Sequence, residues 1–488
     1  MIRWVQGSLL GLVCLLPGCG GGGGDKAPAP KFQVGITPST VSLVAGGFAQ
    51  FNGTSSDGAL LNWRLLEPNS GDFYVYPYSN LTNYSAPGIS GTYRLQATHP
   101  QDPNSTATVT ITVRASGGIW GNARIVDPFR HGYTDVWYTH AGPTLTVLAN
   151  GTCLITGGAD SGIAYNTALL LDLSSGDRLG VFTATGPMSK GRMGHTATLL
   201  KDGRVLLLGG VEQSRETPLN SAEVYNPSTK AFTRLPDMGT RRAGHQATLL
   251  ADGKVLVTGG VTTADWPGTS FQPPTPMAEL FDPALNGGAG GFVAVAPMGV
   301  PRYGHTATAM TDGRVLITGG VTGRDMRSDL TASMEIWDPV SRVFQPLSTS
   351  LGQPRARHSA VLLPSGKVLV AGGYTSDANT IIKGLTEAWL FDPAGGQFTP
   401  TGSLQHPKFS FGMVVLLNGT VLALPGAGGY GIGAAEVYTP ATGAFSLQGF
   451  PASYHQTQRT TGLLPDGRVV VTAMESNIVY SRVGVYYP

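Results

Sequence analysis

The sequence predicts an all-β protein with two folded parts: a small N-terminal β-sandwich and, after it, a seven-bladed β-propeller. Three observations lead there. Of 488 residues, 69 are Gly and 34 Pro, while charged residues reach only 13%. Helix formers such as Lys and Glu are scarce, so short strands joined by turns fit better than a helical bundle. A strand-period alternation runs through residues 31–114. Beyond it, one phrase returns seven times before the end of the chain.

Some classes are excluded early. Hydrophobic residues make up 41%, enough for ordinary cores, so charge-driven disorder is ruled out. The net charge is +2 and no basic run reaches five residues, so nucleic acid is not an expected partner. The three cysteines are Cys14, Cys19 and Cys153. Only Cys153 falls in a folded part, so neither an internal disulfide nor a multi-thiolate metal site is expected. Its plain reading is a small buried hydrophobe in a strand.

Residues 1–18 read as a targeting segment, with Arg3 before a short apolar stretch, Leu9 to Leu16. The end of that segment, Leu16-Pro17-Gly18-Cys19, resembles the lipobox of bacterial lipoproteins. The resemblance implies cleavage before Cys19, lipidation of that cysteine and a membrane held through the lipid. A plain signal peptide with a chance cysteine is the alternative. Residues 19–30 then form a tether, a Gly run followed by a Pro/Ala spacer. No later stretch is apolar enough to span a bilayer. The expected location is the outer membrane or cell surface, with Gly20 after the cysteine favouring the outer membrane as the lipoprotein family does. A monomer is expected.

Residues 31–114 show strands at Val41–Val44, Phe48–Phe51, Leu60–Leu65, Gly91–Thr98 and Thr106–Val113, with Trp63 placed to fill a core. The phrasing VSLVAGG…NWRL…TATVTITV resembles bacterial Ig-like domains, which implies a spacer or an adhesive module. Ala115–Gly118 reads as a linker.

Residues 119–488 hold the repeats. GHTATLLKDGRVLLLGG begins at Gly194, GHQATLLADGKVLVTGG at Gly244 and GHTATAMTDGRVLITGG at Gly304. Each copy has an X-Gly pair, with Gly at 151, 203, 253, 313, 366, 419 and 467, so successive spacings are 52, 50, 60, 53, 53 and 48. Asp-Gly and Asn-Gly suit type I′ hairpins. A Gly-Gly pair usually closes the second strand, and a third strand such as AEVYNP (222–227) or MEIWDP (334–339) follows. Four strands per roughly fifty residues is one propeller blade. This pattern resembles Kelch repeats and the propeller of the galactose oxidase superfamily. The chain ends in VGVYYP (483–488), a third strand, so residues near Ile125–Val136 are expected to complete the last blade.

Functional residues are expected on the face bearing the 2–3 and 4–1 connections, where Val261–Met277 is the longest loop. Ten residues before each X-Gly pair stand His140, Arg192, Arg242, Arg302, Arg355, Lys408 and Gln456. One reading is a ring of cations at the channel mouth that binds carboxylate or phosphate. The other is a set of arginines bonded to carbonyls of neighbouring blades. Trp266, Phe271, Tyr303 and Tyr374 are candidate contacts, with loop packing as their alternative. His195, His245, His305 and His358 recur at one position on four different blades, so they read as a structural contact and not as metal ligands.

The resemblance to galactose oxidase would imply copper held by Tyr and His beside a Cys–Tyr pair. The expected Cys falls near Gly142, its Tyr near Gly194 and the Tyr-His motif near Thr457-Gln458, with Tyr454-His455 about three residues early. Within this sequence no domain supplies the remaining histidine, and Cys153 stands beyond its turn, in the wrong strand. Copper-radical oxidation is therefore not expected, and neither is any cofactor. No HExxH, GxSxG or P-loop motif occurs. The function expected is binding of a glycan or surface protein without catalysis; the alternative is a carbohydrate-active enzyme on the same scaffold.

Overall fold

The computed structural model describes residues 30–44, 48–67, 72–75, 79–85, 91–114, 119–123, 143–160, 163–174, 181–213, 217–262, 274–377, 381–426, 434–448, 459–474 and 481–488. Strands dominate these residues, and the repeats are built as four-stranded antiparallel sheets.

The N-terminal part has two four-stranded sheets. One orders its strands Val34–Thr37, Phe48–Ser55, Leu81–Ser85 and Asp72–Val75. The other orders Thr40–Val44, Asp102–Arg114, Gly91–His99 and Asn62–Leu65, with a parallel pairing between the first two. Both sheets feed one core, Phe51 and Tyr84 from the first, Trp63, Leu95, Val109 and Ile111 from the second. The alternation in Thr106–Val113 is thus the strand period turning every second side chain inward. Two long-range hydrogen bonds, braced by a local one, tie Lys31 and Phe32 to the second sheet's hairpin. Lys31 N donates to Asp102 Oδ2 at 2.8 Å, Phe32 N to Ser105 Oγ at 2.9 Å, and Ser105 Oγ to Asp102 Oδ2 at 2.6 Å.

Each sequence repeat forms one sheet, numbered 1 to 7 here. Sheet 2 illustrates the plan, with strands Thr196–Leu199, Val205–Leu208, Ala222–Asn226 and Ala231–Arg234 paired in chain order. Its second strand is buried at every residue. Both faces are covered, which explains the unbroken apolar run VLLL where a one-sided strand would alternate. Val205 and Leu207 pack toward sheet 1, Leu206 and Leu208 toward sheet 3. A third-strand aromatic such as Tyr225, Phe281, Trp337 or Phe391, with Leu171 in its place in sheet 1, fills the same cores from the following sheet. The seven inter-sheet cores are therefore copies of one arrangement. The first strands lie side by side in sequence order, and that of sheet 7 lies against that of sheet 1.

Two expectations need correction. The X-Gly turns are not type I′. Gly203 has φ 87° as required, but Asp202 is absent from the positive-φ residues. Gly203 N donates to Leu200 O at 3.0 Å and Leu200 N to Arg204 O at 2.8 Å, a three-residue loop with Gly in the bulge position. Asp202 Oδ1 accepts Arg204 N at 3.0 Å, and Asp252, Asp312, Asn418 and Asp466 repeat that bond. The side chain spends its oxygen on the backbone two residues on, which the right-handed conformation allows.

The second correction concerns the last sheet. Its fourth strand is Ile119–Ala123, which pairs with Ser481–Tyr487 from Tyr487↔Ile119 to Val483↔Ala123. Residues 125–136, expected in that place, lie outside the described residues. A strand from the start of the array thus completes the sheet made by its end.

Ser481–Tyr487 is paired on both sides, and Val485 is 1% exposed in the core shared by sheets 7 and 1. Val485→Pro removes a ladder hydrogen bond and opens that core. We expect a loss of at least about 3 kcal/mol, read as a lower urea midpoint at unchanged m-value.

Candidate functional site

The repeated arginines are placed by the junction between neighbouring sheets. The Gly-Gly pair ending a second strand reaches the start of the next repeat. Gly210 N donates to Arg242 O at 2.9 Å, and a Cβ on Gly209 would stand 2.3 Å from that same oxygen. The guanidinium then turns back into its own sheet. Arg242 Nη1 donates to Gly259 O at 2.9 Å and Met277 O at 3.0 Å, and Nη2 donates to Glu279 Oε1 at 2.7 Å. The same carboxylate accepts the amides of Gly239 and Thr240 at 2.7 and 3.0 Å.

This arrangement recurs as Arg192–Glu223 and Arg302–Glu335 at 2.7 Å and as Lys408–Glu436 at 2.8 Å. Arg192, Arg242, Arg302, Arg355 and Lys408 all have no exposed surface. They do not line a mouth open to solvent: each cation faces partners of its own sheet. The expected alternative, bonds to carbonyls of a neighbouring blade, also needs correction. The side chain bonds within its own sheet, and the residue's backbone oxygen makes the link between sheets. Burial pulls these guanidinium groups below their usual range, with the Glu partners opposing it.

The glutamate was not singled out from sequence, though a signal was there. It is the second residue of AEVYNP, AELFDP, MEIWDP and AEVYTP, in the repeats that carry Arg or Lys at the paired position. The register places Leu169 and Gly484 there in sheets 1 and 7, whose cation positions hold His140 and Gln456. Sheet 5 breaks the rule: Trp389 takes the glutamate's place against Val370. Arg355 instead reaches Gly372 O at 3.1 Å and Leu351 O at 3.4 Å, while Glu387 Oε1 accepts Gln353 Nε2 at 2.8 Å. Burial brings Arg355 down to about 10.

The four histidines are buried bridges to the preceding sheet. Nε2 of His195 lies 3.2 and 3.1 Å from Thr144 and Thr156, and that of His245 lies 3.0 Å from Thr196. Nε2 of His305 lies 2.9 Å from Thr258, and that of His358 lies 3.1 and 2.8 Å from Thr306 and Thr318. Burial first, and the neighbouring arginine second, hold all four well below the usual imidazole value, with His195 and His358 at about 3. In sheet 6 Phe411 takes the place: it stands against Gly372 as His358 stands against Gly319. Among the described residues no group of three His, Cys, Asp or Glu could hold a metal ion. Gly194, where an oxidase of the galactose oxidase type needs its tyrosine, carries no side chain. Cys153 is fully buried, and burial pushes its thiol up to about 12.

The candidate aromatics divide. Tyr303 and Tyr374 are buried and join Met193, Val211, Ala243 and Val261 in an apolar layer beneath the 2–3 connections. Tyr374 Oη donates to Met326 O at 3.0 Å, so both rings serve as a floor rather than as projecting contacts. Trp266, Phe271 and Cys19 lie outside the described residues. What rises on this face is loop structure. The 2–3 connections of sheets 1 and 5 carry extra hairpins, Ala159–Asp160 with Ile163–Ala164 and Tyr374–Ser376 with Ile382–Gly384. No helix among the described residues is long and apolar enough to cross a membrane.

The Kelch motif family matches residues 192–239, which span one sheet from its buried arginine onward. No curated protein matches. A solved structure entitled "Structure of YjhT" is similar at 16% identity and a TM-score of 0.49, over 64% of this chain and 99% of that one.

Two outcomes follow from the buried groups. Glu335→Ala strands Arg302 without its carboxylate and should cost about 3–5 kcal/mol. Glu387→Ala should cost clearly less, because Arg355 is already held by carbonyls; urea denaturation of the two variants checks the difference. Each buried imidazole has a folded-state pKa below its unfolded value of about 6.5, so acid favours the unfolded chain. Stability is full above pH 6.5 and falls as the pH drops toward 3, by about 1.4 kcal/mol per pH unit per histidine at most. His245→Phe, which copies sheet 6, should flatten the decline in Tm between pH 6.5 and 4.5.

Proposed function

We propose that this chain is a lipid-anchored surface protein that binds a glycan or a surface protein through the face carrying the 2–3 connections. One observation carries this reading. The polar residues shared by the repeats are held inside the frame, and the two extra hairpins among the described residues both lie in 2–3 connections, while the 3–4 face carries a single helical turn, Asn286–Gly288. Frames of fixed hydrogen bonds with variable loops on one side are how rigid scaffolds present binding surfaces.

The architecture in this reading is a closed, seven-bladed Kelch-type propeller carried on an Ig-like spacer. The contact between the first strands of sheets 7 and 1 supports closure, as does the strand Ile119–Ala123 completing sheet 7. The Kelch match over 192–239 supports the repeat type. The two N-terminal sheets on a common core support the Ig-like spacer. Cys19 is the lipid attachment point, and the Gly-rich tether after it holds the folded parts off an outer membrane. Trp266 and Phe271 belong to the longest of the presenting loops.

The test uses the full chain expressed in a bacterial host. Ser376–Ile382 is replaced by Asn-Gly, which shortens the sheet 5 hairpin without touching the sheet. Tm should stay within a few degrees while binding to a glycan array or to target cells is lost. Binding that survives this change and the matching change in the Val261–Met277 loop would sink the proposal. Cys19→Ser should abolish labelling by radioactive palmitate.

A further inference from the structure

Two or three residues before the first strand of sheets 2 to 6, the chain passes through a left-handed turn at the inner rim. Glycine occupies it in sheets 2, 3 and 4, where Gly194, Gly244 and Gly304 have φ of 63°, 62° and 62°. The rim is held by backbone bonds from one repeat to the next. Gly244 N donates to Gly194 O at 2.9 Å, Arg357 N to Gly304 O at 2.8 Å, and Ser410 N to Arg357 O at 2.8 Å. In sheet 5 the residue is Arg357 and in sheet 6 Ser410, each with φ 51°, so the only long charged side chain at this position among the described residues is that of Arg357. A side chain in this region costs energy that glycine does not, and such residues persist where the surroundings or a function require them.

Nothing in the frame uses the Arg357 side chain. The buried arginines two residues earlier in each repeat, Arg192, Arg242, Arg302 and Arg355, bond to protein, whereas the Arg357 guanidinium makes no ion pair or hydrogen bond among the described residues, and the residue is half-buried. The side chain leans over sheet 4, where a Cβ on Gly304 would stand 3.5 Å from its Cγ. It lies near the phenols of Tyr303 and Tyr374, on which its charge acts against the effect of burial. Two loops flank it. The 2–3 connection of sheet 4 carries exposed Arg324 and Arg327, and the hairpin of sheet 5 carries exposed Lys383. The bond from Tyr374 Oη to Met326 O and that from Ser376 Oγ to Arg327 O join these loops. None of the three cations is in an ion pair among the described residues. The acidic residues between them are engaged: Asp325 accepts Arg327 N at 2.8 Å and Ser328 Oγ at 3.1 Å, and Asp329 accepts Asp325 N at 2.9 Å.

We propose that Arg357 is the centre of an oxyanion-binding site on the rim above sheets 4 and 5, taking a carboxylate or phosphate group of the ligand. This deepens the binding reading and rests on it. A guanidinium offers two parallel N–H donors to either anion, and half-burial strengthens the pairing relative to bulk water. Arg324, Arg327 and Lys383 raise the local potential and draw the anion in. The buried aromatic layer under the rim supports the site from below.

The test measures binding of sodium glucuronate, inorganic phosphate and, as the neutral control, glucose to the full chain, by ligand-observed NMR at low salt. The wild type should bind at least one anion and not glucose; glucuronate against phosphate tells which oxyanion is preferred. Arg357→Gly installs the residue that three other sheets carry there. It should weaken anion binding at least tenfold while Tm is equal or higher. Replacing Arg324, Arg327 and Lys383 together by Ser should weaken binding several-fold and flatten its salt dependence. No anion binding by the wild type would overturn the site, as would equal binding by Arg357→Gly or a lower Tm for that variant. Cell or glycan binding that persists in Arg357→Gly but is lost with the sheet 5 hairpin would leave the surface-binding reading standing and this one refuted.

Discussion

Everything in the repeat array hangs on the carbonyl of one residue per sheet. The oxygen of Arg192, Arg242, Arg302, Arg355 or Lys408 accepts the amide of the second glycine of the preceding Gly-Gly pair, at 3.1, 2.9, 3.0, 2.8 and 2.8 Å. A Cβ on the first glycine would come within 2.2 to 2.5 Å of the same oxygen, so no other residue lets the two chains approach. The glycines set the distance between sheets; the cation sets the direction. In sheets 2, 3 and 4 the guanidinium is locked on carbonyls and a glutamate of its own sheet, which holds the residue's carbonyl in place. A buried ion pair is costly to form and gives little net stability against an apolar alternative. Its value here is geometric, because it fixes one backbone oxygen relative to two sheets.

That constraint explains where polar chemistry is spent. Arginine, glutamate and histidine are the residues from which catalytic sites are commonly made. In this array their repeated copies are buried and bonded to one another, to threonines or to backbone, with Nδ1 of the four histidines left unbonded. A repeated polar residue is by construction a property of the frame. A functional residue has to break the repeat, and sheet 5 is one of the sheets that do. Trp389 stands for glutamate, Arg357 for glycine, and a hairpin lengthens its 2–3 connection. Departures from local rules concentrate where a protein does something other than fold.

The sequence made the period, the second-strand cores and the two-sheet N-terminal part legible, because apolar period and glycine punctuation are local signals. It did not disclose the turn type, since Asp-Gly serves two hairpin geometries and the choice lies in whether Asp202 bonds the backbone two residues on. It placed the completing strand a few residues too late, because Ile119–Ala123 has little alternation of its own and is defined by a partner more than 350 residues away. The cations were found but aimed wrongly. Spacing gives the position of Arg242 in the repeat and says nothing of direction. Direction was encoded in a second column, the glutamate that accompanies Arg or Lys in four sheets and is missing from sheets 1 and 7 along with the cation.

The same comparison of columns separates Arg355 from Arg357, two residues apart and identical in type. Arg355 sits in a column of cations and keeps its place there although its glutamate has been replaced. Backbone carbonyls suffice to hold it, so its charge is structural. Arg357 sits in a column that holds glycine in sheets 2, 3 and 4 and Ser410 in sheet 6, in a conformation that disfavours a side chain, and the frame of sheets 2, 3 and 4 is complete without it. A charge that the fold does not need, in a backbone state the fold would rather give to glycine, has its explanation outside the fold. The cations on the flanking loops supply the potential an incoming anion would need, and they meet beside sheet 5, where Trp389 also stands in the glutamate's place.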